Sequence, residues 1–421
     1  MLDRKLIREQ PDLVRDGIRK KNVQVDVDGI LALDSEYLSN VRKGDELRQE
    51  RNTKSEEIGR RKRSGDDASE LHAAMKAVSA QIREIEARNQ ELESELDAIL
   101  LTIPNLPHES APVGVDESAN VLVRQSGEES KPFEDVMPHW DIGEKLGVLD
   151  LDAGRNVSGR GFIVFRGEGA LLCRALINLM LDMHVDQGYE ELVVPFLVHT
   201  DSMTGTGQLP KMEDDMYRAT DDMWLIPTAE VPVTNVLRGR QIEFGDLPIK
   251  YTAYSPCFRR EAGAHGADTR GLLRVHQFDK VEMVKFVDPE TSYDELETLV
   301  DDAVAVLEAL ELPYRVIALA TGDLSFAAAK CYDLEAWAPG VEKWLEVSSC
   351  SNFENFQARR ASIRIKKSKE TPHRFVHTLN GSGLALPRIV AALLEVHQTP
   401  TGRVRIPEKL RPYMRGKEYI G

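Results

Sequence analysis

The chain has 421 residues, which at about 150 residues per domain points to two or three domains. Hydrophobic residues at 42% and charged residues at 29% allow a large buried core and exclude wholesale disorder. With 54 Lys and Arg against 70 Asp and Glu, the formal net charge of −16 excludes a generally basic nucleic-acid coat, so any polyanionic partner must be held by local basic patches.

The opening segment, MLDRKLIREQPDLVRDG, is charged throughout and lacks the apolar run of a signal peptide. Residues 30–63 follow as a helix-prone stretch with a poor apolar stripe of Leu33, Tyr37, Leu47 and Ile58, and with Arg51 and Lys54 in phase. Ser64-Gly65-Asp66-Asp67 breaks this helix, and Asp67 or Ser69 is suited to cap the next. From Leu71 the apolar positions step by four and three through Met75, Val78, Ile82, Ile85, Asn89, Leu92, Leu96 and Ile99, the rhythm of a coiled-coil seam. The two helices predict an antiparallel hairpin within one chain. Residues 40–65 carry nine basic and five acidic side chains, whereas Glu91, Glu93, Glu95 and Asp97 lie near the root of the returning helix. A basic tip on an acidic protein suits local phosphate contact; the alternative is a solvated coiled-coil surface.

Residues 103–135, beginning IPNLPHESAPVGVDESAN, read as a linker dense in Pro, Ser and acid. Beyond it, β-like runs (FIVF, ELVVPFLV, WLIPT, KVEMVKFV, YRVIAL, WLEVSS, SIRI) alternate with helical stretches at 170–187, 291–311 and 387–397. The alternation over Lys280–Val287 predicts an antiparallel sheet with one wet face. The most apolar run, 170–181, is interrupted by Arg174 and too short to cross a bilayer. Cys173, Cys257, Cys331 and Cys350 are far apart without a CxxC, which predicts reduced buried thiols in a cytoplasmic protein.

No GxxxxGK[ST], no GxGxxG after a strand and no HExxH is present, so a bound nucleotide must be held by side chains. Residues 258–282 offer them. Phe258-Arg259-Arg260-Glu261 ends a strand, a Gly/Ala-rich turn follows, and Arg270 to Glu282 returns with Phe278. The guanidinium fork matches phosphate or carboxylate and is always charged.

Phe258-Arg259-x-Glu261 resembles motif 2 of the class II aminoacyl-tRNA synthetases. Gly188-Tyr189-x-x-Leu192-x-x-Pro195-Phe196-Leu197 resembles motif 1, and Gly383-Leu384-Ala385-Leu386-Pro387-Arg388 resembles motif 3, with Pro387 where many members have Gly. Together with TGTGQLPK (204–211), PTAEVP (227–232), RVHQFDKVEM (274–283), EVSSCSN (346–352), TLNGSGLA (378–385) and the hairpin, the whole chain resembles the seryl-tRNA synthetases.

The resemblance implies an α+β fold: an N-terminal antiparallel coiled-coil hairpin over 1–102, a linker over 103–135, and a class II catalytic domain over 136–421. That domain is a seven-stranded antiparallel sheet flanked by helices, with a homodimer built on the motif 1 helix. Leu171, Leu172, Leu176, Ile177 and Met180 are then the buried face of that helix. The implied activity is serine–tRNA ligation: L-serine and ATP form seryl-adenylate, and the acyl group passes to tRNA-Ser, or to tRNA-Sec where present, without a membrane. Arg259 corresponds to the Arg that holds the α-phosphate and the amino-acid carboxylate. Glu261 accepts from the adenine amino group and the Val275 backbone contacts the base. Phe278 stacks on adenine, with Arg388 over its other face and reaching the γ-phosphate. Arg260, Val347 and Ser348 complete the ATP site. Glu346 and Ser349 match the ligands of a Mg²⁺ that bridges phosphates. Thr228, Ala229, Glu230, Glu282, Asn380 and Ser382 form the serine pocket, and which carboxylate meets which serine atom stays open. Arg51, Lys54, Arg60, Arg61, Lys62 and Arg63 become tRNA contacts. No protein nucleophile is required, and His276 is read as structural. Alternatives are a ligase charging a carrier protein and an interaction protein on an inactive body. The intact hairpin argues against the first, and the retention of Arg259, Glu282, Glu346 and Arg388 argues against the second.

Overall fold

The computed structural model describes residues 1–262, 270–366 and 374–421. The Gly/Ala-rich turn expected after Glu261 falls largely on 263–269, outside the described residues. The chain divides into two compact units, one of residues 2–19 and 23–104, the other of Met1, 20–22 and 105–421.

In the first unit, helix α1 (Val27–Ser64) and helix α2 (Ser69–Leu100) lie antiparallel. Asp26 caps α1 by accepting from the Gly29 amide at 2.9 Å. Gly65 ends the helix at φ 81°, its N–H returning to the Arg61 carbonyl, a backbone conformation that favours glycine. Neither residue suited to cap α2 is its N-cap: that position is Ala68, without a side-chain cap, while Asp67 stands one residue before it and accepts from the Ser69 amide at 2.9 Å. Val78, Ile82, Leu92 and Leu96 of the expected seam are buried, and Leu100 replaces the half-buried Ile99 at its end. Leu47 packs on Val78, Ile82 and Ile85. The ion pairs Arg48–Glu86 (2.9 Å) and Arg88–Glu36 (2.8 Å) cross between the helices. The Asn89 Oδ1 is buried with no hydrogen-bond partner among the described residues, the stability cost expected of a polar seam residue.

The second unit is built on an eight-stranded sheet. Its strands are β1 (Val121–Ser126), β2 (Glu190–Glu191), β3 (Ile249–Phe258), β4 (Gln277–Val287), β5 (Tyr314–Ala318), β6 (Lys330–Ala338), β7 (Lys343–Asn352) and β8 (His377–Ala385). They run in the order β1-β5-β6-β7-β8-β4-β3-β2. Seven are antiparallel to their neighbours, and the two-residue β2 adds a parallel edge beyond them. β1 arises inside the stretch read as a linker. Helices α3 (His139–Lys145), α4 (Glu168–Asp186), α5 (Ser292–Ala309) and α6 (Leu386–Val396) accompany the sheet. The motif 1 helix α4 buries Leu172, Leu176 and Met180 as expected, but Cys173, Ala175 and Leu179 take the places of Leu171 and Ile177, which are half-buried.

The central strand β4 departs from the expected wet face. Val281, Met283 and Val287 join the core beneath α4 and α5, while Val284 and Phe286 join a separate apolar cluster on the other side. Lys280, Glu282 and Lys285 are buried as well. No face of the strand is wet and each mixes polar with apolar residues: Lys280 and Glu282 share one face with Val284 and Phe286, while Lys285 lies on the other and donates to Glu295 and Thr298 of α5. All four cysteines are buried and free.

Candidate active site

The ends of β3, β4, β7 and β8 enclose a cavity of about 590 Å³. Two register shifts shape it. Glu346 and Ser349 are three positions apart and on a regular strand would face opposite sides. The pairing jumps from Leu334–Ser348 to Glu335–Glu346, so Val347 is bulged out and both Glu346 and Ser349 reach the cavity, as do Val347 and Ser348. On β8 the shift after Ser382 leaves Gly383 unpaired. A Cβ there would lie 2.2 Å from His184 Nε2, so only glycine lets α4 approach the sheet at this point.

Arg259 lines the cavity with its guanidinium 5.1 Å from the centre of the Phe278 ring, a cation–π contact. His276 holds this end of the strand: the Arg259 amide donates to the His276 carbonyl at 2.9 Å, and His276 Nδ1 lies 3.1 Å from the Arg259 carbonyl. Glu261, at φ 51°, turns its carboxylate to Arg274 Nε at 3.0 Å. Val275 also lines the wall. Arg388 lies in the first turn of α6 and spans two walls, donating from Nε to the Leu273 carbonyl at 3.3 Å and from Nη1 to the Glu346 carbonyl at 2.7 Å. Its Nη1 also lies 3.3 Å from the Glu346 carboxylate.

Deeper in lie Thr228, Glu230, Asn380 and Ser382. The fully buried Glu282 sits behind them, accepting from Thr228 Oγ1 at 3.0 Å and Asn380 Nδ2 at 2.9 Å. Glu230 accepts from Gln357 Nε2 at 2.5 Å. Burial, reinforced by the neighbouring Glu282, pushes the Glu230 carboxyl up to about 7. Ser348 Oγ donates to the Ser382 carbonyl at 2.7 Å, tying β7 to β8. Besides Glu282, two expected site residues lie outside the cavity wall: Ala229 is packed in the apolar cluster behind it, and Arg260 is exposed, its amide bound to the Asp215 carbonyl at 2.8 Å.

Three further side chains belong to the site. Lys280, two positions before Glu282 on the same face of β4, places its ammonium 2.6 Å from the Glu282 carboxylate. Gln357 arrives from the short helix Phe356–Arg360. Asp333 stands opposite Ser349 across β6 and β7 and accepts from its hydroxyl. Burial and then the neighbouring Glu346 push its carboxyl up to about 8. Period-two reasoning along β4 would have reached Lys280, but only the folded register reveals the other two.

In the helical unit, Arg60, Lys62 and Arg63 are exposed near the end of α1, whereas Arg51, Lys54 and Arg61 are half-buried along it. Glu57 engages Arg60 at 2.8 Å and Arg61 at 3.2 Å, and Glu50 engages Lys54 at 2.7 Å. Arg61, Lys62 and Arg63 also lie in the last turn of α1, where cations favour the helix dipole.

Residues 1–107 match the model of the seryl-tRNA synthetase N-terminal domain, and 211–397 match that of the tRNA synthetase class II core domain (G, H, P, S and T). A serine–tRNA ligase of Desulfitobacterium hafniense is 51% identical over 422 residues, covering 100% of each chain. One from Caldicellulosiruptor saccharolyticus is 54% identical, covering 98% of this chain and 99% of its own. The crystal structure of a seryl-tRNA synthetase from Pyrococcus horikoshii complexed with ATP superimposes with a TM-score of 0.95 at 38% identity, covering 100% of this chain and 99% of the other. Identity of this order across both units, with the motif residues gathered at one cavity, makes the chain a member of the seryl-tRNA synthetase family.

Proposed function

We propose that this cavity activates L-serine with ATP and that the chain then transfers the seryl group to tRNA-Ser. The observation that carries this reading is the convergence of Arg259, Phe278, Arg388, Glu346 and Glu230 on one cavity, with Glu282 directly behind its wall on Thr228 and Asn380, under full-length similarity to serine–tRNA ligases. The ATP complex of the Pyrococcus horikoshii relative supports ATP as a substrate.

The serine carboxylate attacks the α-phosphorus in line, the bond to the β-phosphate oxygen breaks, and diphosphate leaves. Arg259 steadies the attacking carboxylate and the α-phosphate, so two anions are brought together without mutual repulsion. Phe278 takes adenine on its face, and Arg388 covers the other face. Glu261, released from Arg274, accepts from the adenine amino group. Glu230 and Glu282 counter the serine ammonium, and Thr228, Asn380 and Ser382 supply hydrogen-bond partners for its polar groups. A site built to pair the serine hydroxyl rejects alanine by about 10⁴ or more, because losing that hydroxyl strands buried polar groups. In the second step a ribose hydroxyl of the terminal adenosine attacks the acyl carbon and AMP departs.

The donor set at β6 and β7 fits Mg²⁺. Glu346 and Ser349 offer hard oxygens to the cavity, the donor type Mg²⁺ takes, with Asp333 directly behind Ser349 across the strand pair. When bound, Mg²⁺ supplies neutralisation of phosphate charge.

The helical unit, with its basic tip, is proposed to grip the long variable arm and elbow of the tRNA. Exposed Val185, Val193 and Leu197 at and beyond the motif 1 helix support a homodimer through that surface. Among the described residues no helix is long and apolar enough to cross a membrane.

Diphosphate exchange run against all twenty amino acids tests activation, with serine expected to be the one that supports it. Charging of tRNA-Ser against an acyl carrier protein tests the acceptor.

A further inference from the structure

Behind the cavity lies a buried polar pair that the chemistry above does not use. His139, at the start of α3, and Glu395, in the last turn of α6, are both 0% exposed. Glu395 Oε1 accepts from the His139 amide at 2.8 Å and lies 2.7 Å from His139 Nδ1. Its other oxygen accepts from the amides of Gly340 at 2.8 Å and Val341 at 3.2 Å. The far side of the imidazole is fixed by chemistry. His139 Nε2 receives the Leu272 amide at 3.1 Å, so it must be the unprotonated nitrogen, and the proton sits on Nδ1 toward Glu395.

Leu272 begins the limb 272–275, which lines the cavity and carries Val275. The next residue, Leu273, accepts from Arg388, in the first turn of the helix whose last turn holds Glu395. Arg388 and Glu395 are seven positions apart, two helical turns, and therefore on one face. A closed circuit results: Glu395 to His139, His139 to the Leu272 amide, the Leu273 carbonyl to Arg388, and back along α6. Two neighbours of His139 hold the same limb. The Arg270 guanidinium sits 4.6 Å over the Trp140 ring and 3.7 Å from the Asp141 carboxylate. Gly271, at φ 67°, passes so close that a Cβ would lie 2.4 Å from His139 Nε2.

We propose that His139, oriented by Glu395, is a positioning residue that sets the limb 271–275 against Arg388 and so fixes the spacing of the walls that receive the adenine ring. The Leu272 amide takes its acceptor from the imidazole, so the position of this limb depends on His139 Nε2 being present and unprotonated. The proposal rests on the reading of the cavity as the ATP site.

Two substitutions separate the two halves of the imidazole. His139→Gln returns an acceptor near the position of Nε2 and loses the donor to Glu395; His139→Asn keeps a donor near Nδ1 and loses the acceptor for Leu272. Each loses one buried hydrogen bond, so comparable falls in Tm are expected. In diphosphate exchange, His139→Asn is expected to raise the KM for ATP about tenfold with the KM for serine nearly unchanged, and His139→Gln to recover most of that ATP loss. Hydrogen exchange at the Leu272 amide should quicken in the Asn variant alone. Equal ATP KM values in the two variants, or a rise confined to the serine KM, would overturn the proposal. If neither variant folds, Gly271→Ala, whose Cβ would meet His139 Nε2 at 2.4 Å, forces the limb and the imidazole apart; an ATP KM unmoved in that variant would overturn the proposal equally. Failure of the native chain to bind ATP would instead remove the ATP reading, and this proposal with it.

Discussion

Lys280 Nζ lies 2.6 Å from the carboxylate of Glu282, and neither side chain has appreciable contact with solvent. A buried ion pair is poor at stabilising a fold, because desolvation offsets much of its Coulombic gain. Its place beneath the cavity gives it a different use: the ammonium fixes the direction of the Glu282 carboxylate so that Thr228 and Asn380 can be bound as well. Glu282→Ala should therefore lower kcat/KM for serine by about 10²-fold or more, in line with the roughly 2–5 kcal/mol lost when one partner of a buried charged pair is removed. The KM for ATP should move by no more than about threefold, because Arg259, Phe278 and Arg388 are untouched. Steady-state diphosphate exchange checks both; a collapse in ATP affinity would move Glu282 out of the serine pocket.

Glu230 gives this pocket a dependence on pH. Its carboxyl is raised to about 7 by burial and by Glu282, so it is largely protonated below that value in the free enzyme. Serine binding calls for the ionised form opposite the ammonium, so the KM for serine should rise as pH falls below 7, approaching tenfold per unit. Glu230→Gln should have a high serine KM that is flat between pH 6 and 8. Stability runs the other way. The folded chain holds this proton more tightly than the unfolded chain, whose Glu titrates near 4.3, so the contribution of Glu230 to stability declines as pH rises from about 4.3 to 7. Serine should accordingly raise Tm more at pH 8 than at pH 6, which thermal unfolding with and without serine measures.

Glu346 offers a clean test of the metal, because Arg388 has a second hold on the same residue. The Glu346 carbonyl, 2.7 Å from Arg388 Nη1, survives Glu346→Gln, whereas the carboxylate at 3.3 Å does not. The variant should keep Arg388 in place and require about tenfold more free Mg²⁺ for half-maximal diphosphate exchange. A loss of rate that no concentration of Mg²⁺ restores would mean that the carboxylate has another task.

Legibility in the chain followed the reach of local rules. The seam of α2 was legible because Val78, Ile82, Leu92 and Leu96 repeat at a period that only a helix satisfies. The strand β4 was legible as a strand, but the fate of its polar residues was not. Whether Lys280 and Glu282 meet water depends on which segments fold over them, and those come from residues 228–230 and 380–382, far along the chain. Glu346 and Ser349 entered through the motif resemblance alone, since their spacing contradicts a regular strand and a bulge at Val347 reconciles it. Asp333 and Gln357 carry no local signal, because their roles come from cross-strand register and from a helix packed against Glu230.

The end of α1 allows the electrostatic part of tRNA binding to be moved in either direction. Replacing Arg60, Arg61, Lys62 and Arg63 by Gln should weaken charging of tRNA and flatten its dependence on salt, by roughly 0.7–0.9 in log–log slope for each phosphate no longer neutralised, while leaving diphosphate exchange intact. That result alone is ambiguous, because Arg61, Lys62 and Arg63 also favour the C-terminus of their own helix, so their removal frays its last turn. Glu57 resolves the ambiguity. Its carboxylate engages both Arg60 and Arg61, so Glu57→Gln releases both guanidinium groups from that carboxylate and removes one negative charge while keeping every cation of the last turn. If the tip meets phosphate, Glu57→Gln should lower the KM for tRNA several-fold and steepen the salt slope, the opposite sign to the first variant. If the cations serve only the helix, Glu57→Gln should leave charging unchanged, and measuring tRNA KM across a salt series for both variants decides between the two.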